Sequence, residues 1–357
     1  APCTCPVPHR RQHPSLASPP RQTLAHSQIK MARKKIREYM AKLLVLRHLN
    51  KYAAPGVLLD QGMTTLGSLM VTTETNFRHF KQETPEFATS ALVVKPDMLF
   101  GKRGKHNLVL VNKDLDTCEK WIYDRMDQEV QVGHVKGKLT HFLIEKFVPH
   151  KDEYYLAMTT TREGAVIRFS VAGGIEVEEN WDKVKTLSVA LDADIEQVDL
   201  SGLLEGVSAE RMVKTQQFIR ALHRMFCDLD FTLMEMNPWC FDNQDNPVPL
   251  DMHAELDDTA HFKNRKKWGE EIEFPQPFGR VESPEEQYIG ELDSKTGASL
   301  KLTILNPLGR IWTMVAGGGA SVVFADAVAD AGFGHELANY GEYSGAPNEE
   351  ETYQYAK

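Results

Sequence analysis

The chain has 357 residues, of which 25% are charged and 42% hydrophobic, a balance typical of a soluble globular protein with two or three domains. Its formal charge of −9 excludes a broad basic face for nucleic acid, and no apolar run approaches the ~20 residues that span a bilayer. The five cysteines are scattered and match neither a disulfide framework nor zinc-finger spacing, which indicates a reducing compartment.

Residues 1–30 differ in composition from the rest of the chain, because they are rich in proline and contain no Asp or Glu. Met31 reads like a natural start. We therefore expect residues 1–30 to be a disordered leader, a transit peptide or translated upstream sequence. At the other end, residues 353–357 lie in an apparent helix without a cap, so we expect the chain to stop within its second domain.

The first predicted elements are a helix over residues 33–50, where apolar residues recur at helical spacing, and a short apolar strand over residues 91–95. Lys95 ends that strand, and the basic loop Gly101-Lys102-Arg103-Gly104-Lys105 follows it. A lysine that leaves a buried strand can place its charge on a phosphate, while glycines let the backbone approach closely. The loop does not match a Walker A motif, and taken alone a solvated lysine-rich turn is the favoured interpretation.

Strands are predicted next over residues 108–112 and 140–148, with a helix over residues 116–126 between them. The end of the second strand, Glu145-Lys146-Phe147-Val148, could read an adenine edge through its backbone, and Glu145 could accept from the exocyclic amine. Glu153 would suit a pair of ribose hydroxyls. Taken alone, these are ordinary strand-end carboxylates, and that interpretation is the stronger one.

The rest of the first unit mixes a long amphipathic helix, over residues 208–229, with short strands. These strands are predicted over residues 154–160, 165–171, 231–236 and 247–252. Helices mixed with antiparallel strands indicate an α+β unit.

A possible metal site lies on the last two of these strands. Alternation puts Glu235 and Asn237 on one face of the first, and Asp251 comes from its neighbour. Carboxylate and amide oxygens of this kind hold Mg²⁺. A polar cluster on a solvent-facing sheet is about equally favoured.

A domain boundary is predicted near residues 274–279, where two prolines exclude both helix and central strand. Beyond it, strands over residues 300–305 and 310–315 precede Gly317-Gly318-Gly319 and a helix over residues 321–330. Strand, glycine turn and helix open a doubly wound α/β domain, and amides at such a turn can bind an anion. A lone triple glycine is weak support for that site.

Seven segments are typical of one family: LVVKPD (92–97), FVPH (147–150), EENWDKVK (178–185), LMEMNP (233–238), KWG (267–269), GRIWTMVAGGGAS (309–321) and NYGEYSGAP (339–347). With them, the order of the candidate sites resembles the ATP-grasp fold, and the chain is similar to the ATP-citrate lyase family, particularly its plant and algal first subunit. The similarity runs from Met31 to the last residue, but residues 52–90 hold little that resembles the family.

The resemblance implies an ATP-grasp nucleotide-binding domain over residues 31–275. It also implies the N-terminal part of a flavodoxin- or Rossmann-like doubly wound citrate-binding domain over residues 283–357. The implied ATP contacts are Lys95, Arg103 and Gly104 on the phosphates, Glu145, Lys146 and Val148 along the adenine, and Glu153 near the ribose.

The implied magnesium ligands are Asn237 and Asp251, with Glu235 beside them, and a further metal position falls on Asp293, Thr296 and Ala298. Gly345, beside Ser344, matches a citrate contact. No residue of this chain is expected to carry the covalent chemistry. Neither Gly133-His134-Val135 nor Gly334-His335-Glu336 resembles the setting of the family's phosphoryl-accepting histidine.

The function implied is that of a cytosolic subunit that binds Mg-ATP and citrate and phosphorylates a partner histidine. It would serve the CoA-dependent cleavage of citrate to acetyl-CoA and oxaloacetate, which supplies lipid synthesis. The implied partner is a second subunit of a hetero-oligomer, carrying the phosphohistidine and the citryl-CoA lyase module; neither nucleic acid nor membrane is expected. Two alternatives stay open, the nucleotide subunit of a succinyl-CoA synthetase and a non-catalytic, ATP-sensing assembly subunit.

Overall fold

The computed structural model describes residues 33–175, 177 and 180–357. The predicted leader over residues 1–30 and the first two residues of the 178–185 segment lie outside the described residues. The described chain is mixed α/β, as predicted, with two larger antiparallel sheets before residue 275 and a smaller unit after it.

The strands of the described chain are β1 (Arg33–Ile36), β2 (Ser68–Thr72), β3 (Leu92–Pro96), β4 (Leu110–Lys113), β5 (Glu129–Val132), β6 (Val135–Lys138), β7 (His141–Lys146), β8 (Tyr154–Thr160), β9 (Gly164–Ser170), β10 (Lys185–Ala190), β11 (Phe231–Phe241), β12 (Pro247–Pro249), β13 (Met252–Asp257), β14 (Ser299–Ile304) and β15 (Asn339–Ser344). The helices are α1 (Glu38–Tyr52), α2 (Gln61–Leu66), α3 (Phe77–Glu83), α4 (Pro85–Ala88), α5 (Leu115–Tyr123), α6 (Ala209–Asp228), α7 (His261–Trp268), α8 (Pro284–Lys295), α9 (Gly318–Val328) and α10 (Glu349–Ala356). No helix in the described part of the chain is both long and apolar enough to cross a membrane.

The smaller of the two main sheets has the antiparallel order β2-β7-β3-β4. Its central strand β7 is buried through four consecutive residues, Phe142 to Glu145, and α5 covers one face with Leu115, Cys118 and Ile122. Burial on both faces of β7 explains why its sequence reads as a continuous apolar run rather than an alternation.

The larger sheet runs β1-β13-β11-β8-β9-β10, with β12 on the side of β11. Helices α1 and α6 pack on it, and their apolar stripes form one core with the inward residues of β8, β9, β11 and β13. Trp239 lies at the centre, fully buried and ringed by Tyr154, Phe218 and Phe241. The predicted helix over residues 208–229 and the strand over residues 154–160 are confirmed.

The predicted helix over residues 33–50 is wrong in its first turn. Arg33–Ile36 is a strand instead, paired with β13 from Arg33 opposite Asp257 to Ile36 opposite Ala254. The helix begins at Glu38, because the carboxylate of Asp97 accepts from the amides of Glu38 and Tyr39 and caps it there.

The strand predicted over residues 247–252 is two strands, β12 and β13. They separate where the amides of Leu250 and Asp251 both donate to the carbonyl of Pro238. The strand predicted over residues 231–236 continues to Phe241 through an irregularity between Met236 and Trp239. The break between β12 and β13 therefore brings Asp251 beside the irregular stretch of β11.

In the last unit, α8 and α9 pack around the antiparallel pair β14–β15, and Ser283 and Glu286 form a capping box at the start of α8. The strand predicted over residues 310–315 is wrong: only isolated parallel bridges form there, Ile311 with Leu337 and Ala316 with Tyr343. Asn339 Oδ1 accepts from the amide of Thr313 at 2.7 Å, and Asn339 Nδ2 donates to its carbonyl at 2.9 Å. The side chain of Asn339 thus forms the hydrogen bonds that a neighbouring strand would otherwise form.

Candidate functional site

A cavity of about 520 Å³ opens between the loop after β3, the middle of β11 and the start of β13. The loop contributes Arg103 and Gly104, and α1 contributes Glu38. Strand β11 contributes Glu235 and Asn237, and Asp251 lies directly before β13. The fold therefore brings the predicted phosphate loop and the predicted magnesium ligands to one place, although more than 130 residues separate them.

The two predicted phosphate cations share one counter-ion, Glu38. Lys95 Nζ donates to Glu38 Oε1 at 2.6 Å, and Arg103 Nη2 donates to Glu38 Oε2 at 2.7 Å. Burial raises the pKa of Glu38, but the charges of Lys42, Lys95 and Arg103 outweigh it and hold the pKa well below the usual range. Glu38 is therefore a carboxylate, although it is buried.

Arg103 also pairs with the carboxylate of Asp251 and donates to the carbonyl of Pro96 at 3.0 Å. Burial opposes its charge, but Asp251 and Glu38 raise the pKa of Arg103. This arginine ties the β3 loop to the wall that carries the predicted metal ligands.

A second buried pair lies behind the first. Lys42 Nζ donates to both oxygens of Glu145 at 2.8 Å and to the carbonyl of Leu250 at 3.0 Å. Burial lowers the pKa of Lys42, but Glu145 and then Glu38 outweigh it, so the pKa is raised overall. The hydroxyl of Ser68 donates to Glu145 at 2.6 Å, so this carboxylate is fully engaged by the protein.

The predicted metal wall consists of Glu235, Asn237 and Asp251, with the first two on the same face of β11 as expected. Asn237 Oδ1 accepts from the amide of Gly174 at 2.7 Å. Glu235 accepts from the hydroxyl of Tyr155, whose pKa is raised by burial and by that carboxylate. The side chains of Glu235 and Asp251 are 31% and 42% exposed, so both carboxylates remain open to a ligand.

These three side chains offer hard oxygen donors, which is the chemistry that Mg²⁺ requires from a protein. Within the described ranges, no three His, Cys, Asp or Glu side chains group into a metal site. Two carboxylates and one amide oxygen fit an ion that takes its remaining ligands from water and phosphate.

The predicted adenine and ribose contacts lie elsewhere. Among the described residues that line the cavity, none is Glu145, Lys146, Val148 or Glu153. Lys146 Nζ lies 5.2 Å from the centre of the Phe87 ring, and Glu153 Oε1 lies 3.1 Å from His150 Nε2. The structure therefore brings Arg103, Gly104 and the predicted metal ligands to one cavity, and Lys95 is connected to it through Glu38. The predicted adenine and ribose contacts are not part of that lining.

The predicted second metal position and the citrate contact are neighbours in the last unit. A Cβ added to Gly345 would meet Ala298 Cα at 3.2 Å, and Thr296 Oγ1 donates to the carbonyl of Ala298 at 3.3 Å. Asp293 is occupied by the amide of Leu300 and by Lys301, and Ser344 donates to Glu342. Gly345 has φ +72°, a conformation that favours glycine.

Sequence reasoning missed Glu38 and Lys42. On a helix, a Glu and a Lys four residues apart usually form an exposed surface pair. Here they continue the stripe of Val45 and Leu49, so both charges fall on the buried face of α1. That position on the apolar stripe is the signal that could have revealed them.

Two protein-family sequence models match the chain. The family model of the ATP-citrate synthase ATP-grasp domain matches residues 32–268, and that of the ATP citrate lyase citrate-binding domain matches residues 280–357. The chain is 51% identical over 327 residues to the ATP-citrate synthase alpha chain protein 2 of Oryza sativa subsp. japonica, covering 92% of this chain and 75% of that one. It is 47% identical over 290 residues to the ATP-citrate synthase of Mus musculus, covering 80% of this chain and 26% of that one. A solved ATP citrate lyase from Methanothrix soehngenii, in complex with citrate and coenzyme A, superposes with a TM-score of 0.80 at 43% identity and covers 91% of this chain and 75% of that one.

Proposed function

This chain belongs to the ATP-citrate synthase family, and we propose that it is the subunit that binds Mg-ATP and citrate and phosphorylates a histidine of its partner. The supporting observation is the cavity in which Arg103 meets the oxygen donors of β11 and Asp251, with Lys95 bonded to the lining residue Glu38. The family match favours this function over a succinyl-CoA synthetase subunit or a non-catalytic ATP sensor.

Lys95, Arg103 and the amide of Gly104 contact the phosphates of ATP in this proposal. Phosphoryl transfer needs little covalent chemistry from the protein, because positioning and charge neutralisation lower the barrier. Arg103 is suited to this task because Glu38 and Asp251 hold its guanidinium in place. Glu145, Lys146 and Val148 follow the adenine, and Glu153 lies near the ribose.

Asn237, Asp251 and Glu235 hold Mg²⁺ in the proposed complex, and the ion neutralises phosphate charge when bound. Arg103 is a neighbour of Asp251, so the same carboxylate orients both a protein cation and the ion. We extend the metal proposal to Asp293, Thr296 and Ala298 as a second position.

Citrate binds in this proposal near Ser344 and Gly345, at the end of β15. A side chain at Gly345 would be crowded against the backbone of residues 297 and 298, and its φ of +72° favours glycine. The loop can therefore turn there and present amides to a carboxylate. The Methanothrix soehngenii relative was solved with citrate and coenzyme A. The proposed domains are residues 31–275 for the nucleotide and residues 283–357 for the first part of the citrate domain.

The proposed partner carries the phosphohistidine and the citryl-CoA lyase module in a hetero-oligomer, with CoA as co-substrate. The chain covers 75% of the rice alpha chain but 26% of the mouse enzyme, and these shares support a division between subunits. The proposed location is the cytosol, and the proposed product, acetyl-CoA, serves lipid synthesis.

The test compares Lys95→Ala and Asp251→Asn with Lys113→Ala, an exposed lysine on β4 of the same sheet as Lys95. Calorimetry would measure the binding of adenosine and of Mg-ATP to each variant. We expect Lys95→Ala to lose about 1.5–3 kcal/mol of Mg-ATP binding, the value of a charge-assisted hydrogen bond, and to keep adenosine binding. Asp251→Asn should weaken the dependence on Mg²⁺, and Lys113→Ala should match the parent.

Melting temperatures recorded on the same samples separate loss of contact from loss of fold. Equal loss of adenosine and Mg-ATP binding in Lys95→Ala, at an unchanged melting temperature, would contradict the phosphate role. Unchanged magnesium dependence in Asp251→Asn would remove the metal assignment.

A further inference from the structure

Glu38 connects the cavity to Lys95. Glu38 and Arg103 are lining residues of the cavity, whereas Lys95 is not among the described residues of the lining. The ammonium of Lys95 contacts Glu38 at 2.6 Å, the carbonyl of Leu250 and, at 3.5 Å, the carboxylate of Glu145. A phosphate that enters the cavity therefore reaches a residue that directly holds Lys95.

The donors around Glu38 are those that a phosphate would use. Each of its two oxygens accepts from a different cation, Lys95 at 2.6 Å and Arg103 at 2.7 Å. Two further donors approach Oε1, the ammonium of Lys42 at 2.8 Å and the amide of Met252 at 3.3 Å. Charged side chains and backbone amides that converge on paired oxygens are a common phosphate-binding arrangement.

The charges in this region come close to balancing. Lys42, Lys95 and Arg103 face the carboxylates of Glu38, Glu145 and Asp251. Without Glu38, Lys95 would keep only the carboxylate of Glu145, at 3.5 Å, and Arg103 only that of Asp251. A buried cation that loses part of its counter-charge is destabilised, so an anion at the position of Glu38 stabilises the site when no nucleotide is bound. Glu38 also touches Lys42 at 2.8 Å, one helical turn away, so its carboxylate keeps a partner when a phosphate takes the others.

We propose that Glu38 is a positioning residue that stands in for phosphate: it holds Lys95 and Arg103 in place in the empty site and yields them to the polyphosphate of the nucleotide. The inference rests on the proposed nucleotide site and adds a residue to it. Glu38 acts through the two cations and does not itself touch the reacting atoms.

The experiment compares the parent chain, Glu38→Gln and Glu286→Gln. Glu286 is a matched control, because it is a buried glutamate with an arginine partner, Arg280, in the last unit. Melting temperature and calorimetric Kd would be measured with inorganic pyrophosphate and, separately, with Mg-ATP. A purely structural glutamate would lower the melting temperature without changing the response to either ligand.

We expect Glu38→Gln to melt at a lower temperature than the parent without ligand and to regain more stability with pyrophosphate than the parent does. Its Kd for pyrophosphate should be tighter by roughly tenfold, because the ligand no longer displaces a charge-assisted hydrogen bond. Glu286→Gln should also melt lower, with the ligand response of the parent.

A ligand response in Glu38→Gln equal to or smaller than that of the parent would overturn the inference while leaving nucleotide binding intact. If the parent chain does not bind Mg-ATP, the proposed function is wrong, and this inference fails with it.

If Glu38→Gln does not fold, Glu38→Asp is the second test. Its side chain keeps the negative charge but is one methylene shorter, so the carboxylate lies farther from Lys95 and Arg103. We expect a pyrophosphate response larger than that of the parent, and an unchanged or smaller response would again overturn the inference.

Discussion

Each buried charge around the cavity is stable only because of its partner, and the pair Lys42–Glu145 shows this most simply. Lys42 is 1% exposed and Glu145 3%, so neither can turn to water when the other is removed. Removing one partner of a buried ion pair typically costs ~3–5 kcal/mol, whereas replacing both by neutral groups of similar volume can cost little.

We expect Lys42→Met to lose about 3–5 kcal/mol of unfolding free energy. The double variant Lys42→Met/Glu145→Gln should recover much of that loss, because no unpaired charge is left behind. Urea denaturation of the parent, both single variants and the double variant completes a double-mutant cycle. Additive losses would show that the two side chains do not depend on each other.

His141 couples the stability of the fold to pH. Burial, assisted by the charge of Arg37, lowers the pKa of His141 to about 4. In the unfolded chain the pKa of histidine is about 6.5. Because the folded form binds its proton less readily, His141 contributes stability above pH 6.5 that is lost as the pH falls through 4.

The expected result is that parent stability falls more steeply than that of His141→Gln between pH 6.5 and 4. Burial, followed by the charge of Glu38, raises the pKa of Asp97 to about 6, and this gives the opposite trend in the same window. The contribution of Asp97 is common to both proteins and cancels in the difference between them. Urea denaturation of both proteins from pH 6.5 to 4 measures their unfolding free energies, and parallel pH profiles would mean that His141 titrates normally.

At the scale of elements, α1 depends on a cap from another part of the chain. Its own N-cap residue, Arg37, makes no side-chain capping bond. Asp97, which follows β3, accepts from the first two amides of the helix at 2.8 and 3.0 Å. The same residue bonds through its own amide to the carbonyl of His141 in β7.

We expect Asp97→Ala to cost about 1–2 kcal/mol, the usual value of a lost helix cap, and Asp97→Asn to cost less because an oxygen acceptor remains. Asp114→Ala is the control, since Asp114 caps α5 locally from an exposed position. Asp114→Ala should leave nucleotide binding unchanged, whereas Asp97→Ala should alter it, because the start of α1 and with it Glu38 would shift relative to Lys95 and Arg103. Equal effects of the two alanine variants on binding would argue against a cap that positions the site.

Elements whose pattern is local were predictable. The stripe of α6 and the strand β8 follow from residues that lie next to one another in the sequence. Strand β1 was not predictable, because its extended form depends on pairing with β13, more than 200 residues later. Segment 310–315 has a strand-like composition, but the side chain of Asn339 takes the backbone groups of Thr313 that a ladder would use.

The candidate site divides in the same way. Lys95, Arg103 and Asp251 could be singled out because each sits at a strand end or in a glycine loop. Their ion-pair partners could not be predicted from the sequence, because Glu38, which pairs with Lys95 and Arg103, lies on a helix more than 55 residues before Lys95. Periodicity in the sequence predicts on which face of a helix or strand a residue lies, but it does not predict which residue from another element contacts it.

At the scale of the whole molecule, the chain matches the ATP-grasp domain of its family over residues 32–268 and the citrate-binding domain over residues 280–357. The described histidines include His134 and His335, which are exposed. The chain matches 26% of the mouse relative, so most of that enzyme lies outside the matched region. The complete reaction should therefore need a second polypeptide.

We expect no acetyl-CoA from citrate, CoA and Mg-ATP when this chain is assayed alone, and product when it is extended to the length of the rice alpha chain and the partner subunit is added. A coupled assay of acetyl-CoA measures the outcome, and Asp251→Asn with partner serves as the control for turnover that depends on this chain. Product from the chain alone would overturn the proposed division between subunits.

The carboxylate of Asp97 also has a consequence for hydrogen exchange. It is attached to the four-stranded sheet, whereas the two amides that it holds belong to a helix packed on the seven-stranded sheet. A peptide hydrogen exchanges with solvent deuterium only when its bond opens. Deuterium uptake at Glu38 and Tyr39 therefore reports how often the two sheets part, and ligands that draw the sheets together should slow uptake at these two amides.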